Sequence, residues 1–346
     1  MIKSKMPVSE RIAKRKDQHI QICLTEDITY TKSAGFEDIE FLHNALPELN
    51  FEKIDTSITF LGKKLSFPFF IDAMTGGSEK TGAINKHLAQ VAEEHKIAFA
   101  LGSIRALIEN PHLKETFYVR KQAPEVPLIA NIGAAQLTQI PSKKIISTVE
   151  SLEADAIQIH LNPLQEVLQP EGDKNFEGIE EAIRSFCLDS PFPVIAKETG
   201  SGISREVAFR LKKCGVTMIN VSGAGGTSWA KVEYKRGAVI PGFGEWGIPT
   251  AVSTLACSKI LPTISSGGIR SGVDIAKALA LGAKCASSAL PVLRSKNPTS
   301  LIGLYHLQLQ TVMFLTGSKT ISDLSKTKLI IGGRTGYLAR TLNLLR

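Results

Sequence analysis

Cysteine is scarce in this 346-residue chain, and what there is does not cluster: Cys23, Cys187, Cys214, Cys257 and Cys285 are spread along it without a Cys-x-x-Cys pair. That spacing argues against a disulfide framework and against a zinc cluster, and it fits a reducing cytoplasm. No apolar run approaches the length of a membrane span, and charged residues from Lys3 through Lys16 stand where a secretory signal would place its apolar core. A soluble, untargeted protein with no membrane partner is expected. Low-complexity tracts and solenoid-type repeats are also lacking. The chain carries 41 Lys plus Arg against 33 Asp plus Glu, a formal charge of +8. Apart from Arg11 to Lys16 these basic residues are dispersed, without the interleaved aromatics of an RNA-binding motif. The surplus therefore reads as solvated surface or affinity for small phosphorylated metabolites, with nucleic acid the weakest reading.

What the chain does have is a rhythm. Eight short apolar runs recur at helix-plus-strand spacing: Phe67 to Ile71, Ala98 to Leu101, Leu128 to Ala130, Ala156 to Ile159, Val194 to Ala196, Met218 to Val221, Thr263 to Ser265 and Cys285 to Ser288. Each ends in small, polar or ionisable residues. An α/β fold of the (β/α)₈ TIM-barrel type, with its active site at the strand ends, is the expectation. Helical spacing between the runs marks Thr81 to His95, Ser142 to Leu152, Ser204 to Cys214 and Gly272 to Leu281, the last with a stripe of Val273, Ala276, Leu279 and Ala280. Residues 1–57 read as an arm or lid with a helix near Pro7 to Gln18, and 58–317 as the barrel. Within the latter, Ile58-Thr59-Phe60, a turn at Gly62-Lys63, and Lys64-Leu65-Ser66 form a hairpin that closes the barrel bottom. Residues 318–346 read as a peripheral helix or mobile tail. The stretch from Ser222 to Thr250 is too long and glycine-rich to be a plain connection, which points to function.

Several strand ends carry residues with chemistry. After the seventh run, Ser266-Gly267-Gly268-Ile269-Arg270 puts glycines ahead of a helix, where backbone N–H groups can approach a phosphate, and Ala289 and Leu290 after the eighth run supply further donors. A tight turn is the competing explanation. Lys197 ends the fifth run, and period-two alternation separates it from Glu198, so it is expected to meet an anionic group inside the barrel, such as a reduced flavin. His160 and Asn162 point to one face, with Gln165 and Glu166 following. Glu166 is a candidate Mg²⁺ ligand, although a solvated loop glutamate would look the same. Met74 before Gly76-Gly77 suits packing on a flat ring as well as it suits core filling. Arg15-Lys16-Asp17-Gln18-His19 reads, by charge alone, as an exposed basic helix end.

Taken together, the segments Arg15 to His19, Ala73 to Gly77, Asn131 to Ala134, His160 to Glu166, Pro170 to Asp173, Val221 to Trp229 and Ser266 to Arg270 resemble, in content and order, the type 2 isopentenyl-diphosphate isomerases. The resemblance runs from about Arg15 to Pro291. It implies an FMN-dependent barrel that interconverts isopentenyl and dimethylallyl diphosphates with Mg²⁺ and reduced flavin, NAD(P)H being the reductant and a homo-tetramer or homo-octamer the assembly. It assigns FMN to Ala73, Met74, Thr75, Ser103, Asn131, Lys197, Ser222, Thr227, Gly268, Ile269, Arg270, Ala289 and Leu290. Substrate falls to Arg15, Lys16, Ser103, Arg105, His160, Asn162 and Gln165, with Gln165 and His160 nearest the chemistry and Glu166 on the metal. Ile104 departs from the family, which often has a polar or thioether residue there.

Two alternatives differ in kind. One is an FMN oxidoreductase of hydroxy acids or dihydroorotate, which needs a base near the substrate; the long loop offers no Cys or His for it, and the same lack disfavours an inosine-monophosphate-dehydrogenase mechanism. The other is a non-enzymatic phosphate-ligand binder.

Overall fold

A computed structural model describes the backbone of residues 8–345 and the side chains of residues 14–345, so the start of the expected arm, including Lys3, lies outside the described residues. All eight apolar runs become parallel strands of one closed barrel. They are β1 Phe69–Ile71, β2 Ala98–Ala100, β3 Leu128–Gly133, β4 Ala156–Leu161, β5 Val194–Glu198, β6 Met218–Asn220, β7 Thr263–Ser266 and β8 Cys285–Ser288. Neighbours pair in chain order, and Ser288 closes the ring against Ile71. Four strands run further than the apolar runs suggested, through Gly133, Leu161, Glu198 and Ser266. Polar residues there still have ladder partners, as His160 has in Lys197.

Alternation along each strand builds two layers. On β5, Val194 and Ala196 join the outer core beneath the helices, while Ile195 faces inward with Phe70, Ala98, Ile129, Ala156, Ile264 and Cys285. Below them the hairpin Ile58–Phe60 and Lys63–Leu65 plugs the barrel with Phe60 and Leu65, as expected. Its turn is Leu61-Gly62, one residue earlier than read from the sequence, because both residues take positive φ (49° and 79°) and Lys63 is left free to pair as a strand residue.

Serine caps start several helices: Ser78 on Glu79–Glu94, Ser204 on Arg205–Lys213 and Ser271 on Gly272–Ala280 each accept a backbone N–H. In Gly272–Ala280 the buried face is Ile275, Ala276, Ala278 and Leu279, while Val273 is 37% exposed. The expected stripe is rotated because the helix also packs against Pro298–Leu315, close enough that a Cβ on Gly272 would stand 2.0 Å from the Tyr305 carbonyl oxygen.

Two segments outside the barrel differ from expectation. The arm helix runs Val8–Thr25, longer than read, and is held across the barrel mouth where Arg294 Nε donates to the Cys23 carbonyl at 2.6 Å. The C-terminal segment, read as a peripheral helix or a mobile tail, forms helix Gly333–Thr341 and, beyond that reading, strand Leu329–Ile331, antiparallel to Ile39–Phe41 of the arm. Thr335 ties that helix down through its hydroxyl to Gly35 O (3.0 Å) and its N–H to Asp38 (2.8 Å). No helix among the described residues is long and apolar enough to cross a membrane.

Candidate active site

One step above the apolar layer, the inward positions turn polar. Asp72 follows β1 and reaches four other strands: it accepts from Lys197 Nζ at 3.0 Å, Asn220 Nδ2 at 3.0 Å, Ser287 Oγ at 2.8 Å and, more loosely, Gln158 Nε2 at 3.4 Å. Asn220 in turn donates to Gln158 Oε1 at 2.9 Å and accepts from Ser266 Oγ at 2.5 Å. A fully connected polar layer of this kind holds each side chain in one orientation. It forms the floor of a cavity of about 470 Å³ at the C-terminal ends of the strands. Lys197 meets an anion inside the barrel as expected, yet that anion is Asp72, while Glu198 faces the other way and accepts the backbone N–H groups of Thr199, Gly200 and Gly202.

One wall is cationic and amide-rich. His160 Nδ1 lies 2.6 Å from Asn131 Oδ1, and Asn162 Nδ2 donates to Gln165 Oε1 (3.1 Å) and Glu166 Oε1 (2.8 Å). Glu166 also accepts from Asp173 N. From the arm, Lys16 Nζ reaches in and donates to the carbonyls of Gly76 (2.7 Å) and Ser103 (2.8 Å), and lies 4.9 Å from the Phe117 ring centre. The exposed basic helix end expected from charge alone is therefore corrected: tertiary packing turns Lys16, Arg15 and His19 onto the cavity. Arg15 stands 3.9 Å from Glu171, which also takes Arg236 at 2.6 Å. Arg105 lines the wall while its Nε donates to Glu109 at 2.9 Å.

The opposite wall is glycine. A Cβ on Gly226 would stand 2.5 Å from Gly268 N, and one on Gly268 would stand 2.7 Å from Gly225 O. Gly267 and Gly268 take φ of +94° and +81°, which glycine adopts at no steric cost. Arg270 N is already engaged by Asp274 Oδ2 at 3.0 Å, so Arg270 offers the cavity its side chain. Thr75 Oγ1, buried at the cavity edge, has no hydrogen-bond partner among the described residues. An orphaned hydroxyl and a cradle open only because it lacks side chains both fit a bound phosphate-bearing cofactor such as FMN.

A metal fits less completely. No group of three His, Cys, Asp or Glu that could hold an ion occurs among the described residues. Glu166 is a lone carboxylate, which suits Mg²⁺ only as an ion that keeps waters and shares a substrate's phosphate oxygens.

The electrostatics follow from burial. The His160 imidazole is pushed down to about 3, first by burial and then by Lys197, Lys16 and Arg15, so it is neutral at pH 7. Lys16 falls to about 7, again mainly through burial and then Arg15. For His160 the folded value lies below the unfolded one near 6.5, so its contribution to stability is fully present above pH 6.5 and is lost as pH falls toward 3. Between pH 6.5 and 4.5 the wild type should lose about 2 kcal/mol more than His160→Gln, the slope approaching ~1.4 kcal/mol per pH unit below pH 6. Denaturant unfolding of both proteins across that range measures it; parallel pH curves would contradict the assignment.

Nearly every residue that the sequence nominated lines this one cavity. Ile269 does not: its side chain is buried in the outer core, and only its carbonyl is engaged, by Ser288 Oγ at 3.0 Å. Ile104 is likewise buried, with its N–H on Asn131 O at 2.7 Å, so the departure from the family sits in the core rather than on the cavity wall. Two functional residues were missed. Asp72 was passed over as part of a strand end; its inward register one step above Phe70 was the available signal. Glu233, with no exposed side-chain surface, accepts from His19 Nε2 (3.0 Å), Gln165 Nε2 (3.3 Å) and Arg236 NH1 (2.5 Å). Burial alone would raise it, but His19 and Arg236 hold it below the usual carboxylate range. No spacing in the sequence joins His19 to Glu233.

Comparison with known proteins agrees with this geometry. The FMN-dependent dehydrogenase family matches residues 9–112 and 179–331. An isopentenyl-diphosphate delta-isomerase of Methanothermobacter thermautotrophicus is 46% identical over 94% of this chain and 95% of its own. Those of Pyrococcus abyssi and Nostoc sp. are each 43% identical, covering 94% and 91% of this chain and 94% and 95% of their own. Among solved structures, a flavocytochrome b2 variant superposes with a TM-score of 0.67 at 17% identity over 96% of this chain and 90% of its own, and a mandelate oxidase with 0.62 at 18% over 91% and 92%. At such identities these last two speak for the barrel alone. By sequence, the chain belongs to the FMN-dependent dehydrogenase family and, within it, to the isopentenyl-diphosphate delta-isomerases.

Proposed function

We propose that this chain interconverts isopentenyl and dimethylallyl diphosphates, with FMN reduced by NAD(P)H and Mg²⁺ on Glu166. The observation that carries this reading is one cavity that joins a glycine cradle to a wall of cations and amides. Ala73, Met74, Thr75, Ser103, Asn131, Lys197, Ser222, Thr227, Gly268, Arg270, Ala289 and Leu290 would hold FMN. Barrel residues 58–317 would form the catalytic unit, the arm its cover and 318–346 its outer support, with a homo-tetramer or homo-octamer as the assembly.

The reaction adds a proton at one carbon and removes another nearby, through a developing tertiary cation. When bound, reduced FMN supplies an acid and base that the side chains lack. Arg15, Lys16 and Arg105 fix the diphosphate by charge, His160 and Asn162 by hydrogen bonds, and Gln165 is held over the reacting end by Glu233 and Asn162. Diphosphate beside Lys16 keeps its amine charged, opposing the effect of burial. Gln165→Asn, one methylene shorter, withdraws the amide from Glu233. It should cut turnover about a hundredfold with FMN affinity unchanged; assay of both quantities checks it, and unchanged turnover would remove Gln165 from the site.

One observation favours the oxidoreductase alternative. His19, which lines the cavity, is backed at 3.0 Å by Glu233, a base supplied by the arm where the long loop has no Cys or His. The test is a visible spectrum of the purified protein followed by isomerisation of isopentenyl diphosphate with FMN, Mg²⁺ and NADPH. A yellow protein that oxidises hydroxy acids and leaves isopentenyl diphosphate unchanged would replace the proposal with this alternative. A colourless, inert protein would point to a phosphate-ligand binder.

A further inference from the structure

Lys197 alone would put a full positive charge on the cavity floor. The structure instead pairs it at 3.0 Å with Asp72, and both side chains are almost fully buried. Asp72 is held in place by Asn220, Ser287 and its neighbour's backbone, with Ala73 N at 2.7 Å. Burial would raise this carboxyl, but Lys197 and Asn220 outweigh it and keep Asp72 below the usual range, hence ionised. Such a pair is costly to bury, and an apolar floor would serve the fold as well. A role toward whatever lies on that floor is the alternative to a structural one.

We propose that Asp72 is a positioning residue that neutralises Lys197 beneath bound FMN, so that the cofactor lies over a balanced ion pair instead of a free cation. This rests on FMN being the ligand of the cavity. A free cation under the ring would favour the reduced flavin anion, raising the reduction potential and stripping the proton that the isomerisation needs to move. Asp72 offsets that pull while its hydrogen bonds keep the ammonium aimed. The other charged or titratable groups on the cavity are His160 and Glu166 at and after β4, Lys16, Arg15, His19 and Cys23 on the arm helix, Arg105 after β2, Arg270 after β7, and Arg294 and Tyr305 beyond β8. None of them donates to Asp72, whose ionic partner is Lys197.

Anaerobic redox and pH titrations of FMN-loaded enzyme test this in four proteins: wild type, Asp72→Asn, Lys197→Met and the double variant. In Asp72→Asn the bound flavin's potential should become more positive, and deprotonation of the reduced flavin, read from its absorbance, should move down by about one pH unit or more. Lys197→Met should shift both the opposite way. The double variant, which leaves no unpaired buried charge, should return close to wild type. It also keeps the test intact if either single variant fails to fold. A double variant displaced as far negative as the loss of a cation demands, or an FMN-loaded Asp72→Asn with unchanged potential, would overturn the proposal. Failure of the wild type to bind FMN would instead overturn the functional reading beneath it.

Discussion

Glu233→Ala is expected to lower the unfolding free energy by about 3–5 kcal/mol, the usual result of removing one partner from a buried ion pair. It should also reduce turnover at least about a hundredfold. The carboxylate is a hub: without it Arg236 is left with Glu171 as its ionic partner, His19 on the arm loses its tie to the segment after β6, and Gln165 loses one of its two anchors. Both losses therefore arise from one change, and they can be separated. Glu233→Gln still accepts a hydrogen bond but carries no charge, so it should recover part of the turnover while remaining destabilised. Denaturant melts and steady-state kinetics of the two variants read this out. An alanine variant of normal stability, or one that is destabilised yet turns over normally, would show that the arm–loop contact does not hold Gln165 for catalysis.

Gly226→Ala should abolish retention of FMN. The added methyl would stand 2.5 Å from Gly268 N and 3.1 Å from the Gly267 Cα, so it pushes on the backbone that forms the proposed phosphate seat, and backbone cannot swing aside as a side chain can. A displacement of the order of an ångström at such a donor weakens a charge-assisted hydrogen bond severely. The variant is expected to purify colourless, with FMN affinity reduced by about a hundredfold or more, the loss of two such hydrogen bonds. Gly332→Ala serves as the control: it lies outside the barrel, and a Cβ there meets nothing within 4 Å. Circular dichroism distinguishes lost flavin from lost fold. A folded Gly226→Ala protein that stays yellow would move the phosphate seat elsewhere.

Read from the sequence alone, the barrel was legible because its strands are short apolar runs bounded by polar ends, and period-two alternation assigns Ile195 and Lys197 to the interior without further information. Motif order identified the family, and all nominated residues but Ile269 line the cavity. What stayed hidden lies in contacts between distant segments. Lys197 was expected to find an anion, but only barrel closure, which brings β1 opposite β5, shows that the anion is Asp72, 125 residues away. The Arg15 to His19 segment carries the same charges on an exposed helix or a buried one; docking of the arm across the mouth turned it inward and joined His19 to Glu233 across 214 residues. The C-terminal segment read as a peripheral helix or a mobile tail, without its strand, because that strand has no local partner and acquires one only from the arm. Local patterning determined the strands, their inward faces and the family, since these depend on neighbours within a few residues. Tertiary structure decided which charges meet, because that depends on where closure of the ring and folding of the arm bring chain segments far apart in sequence.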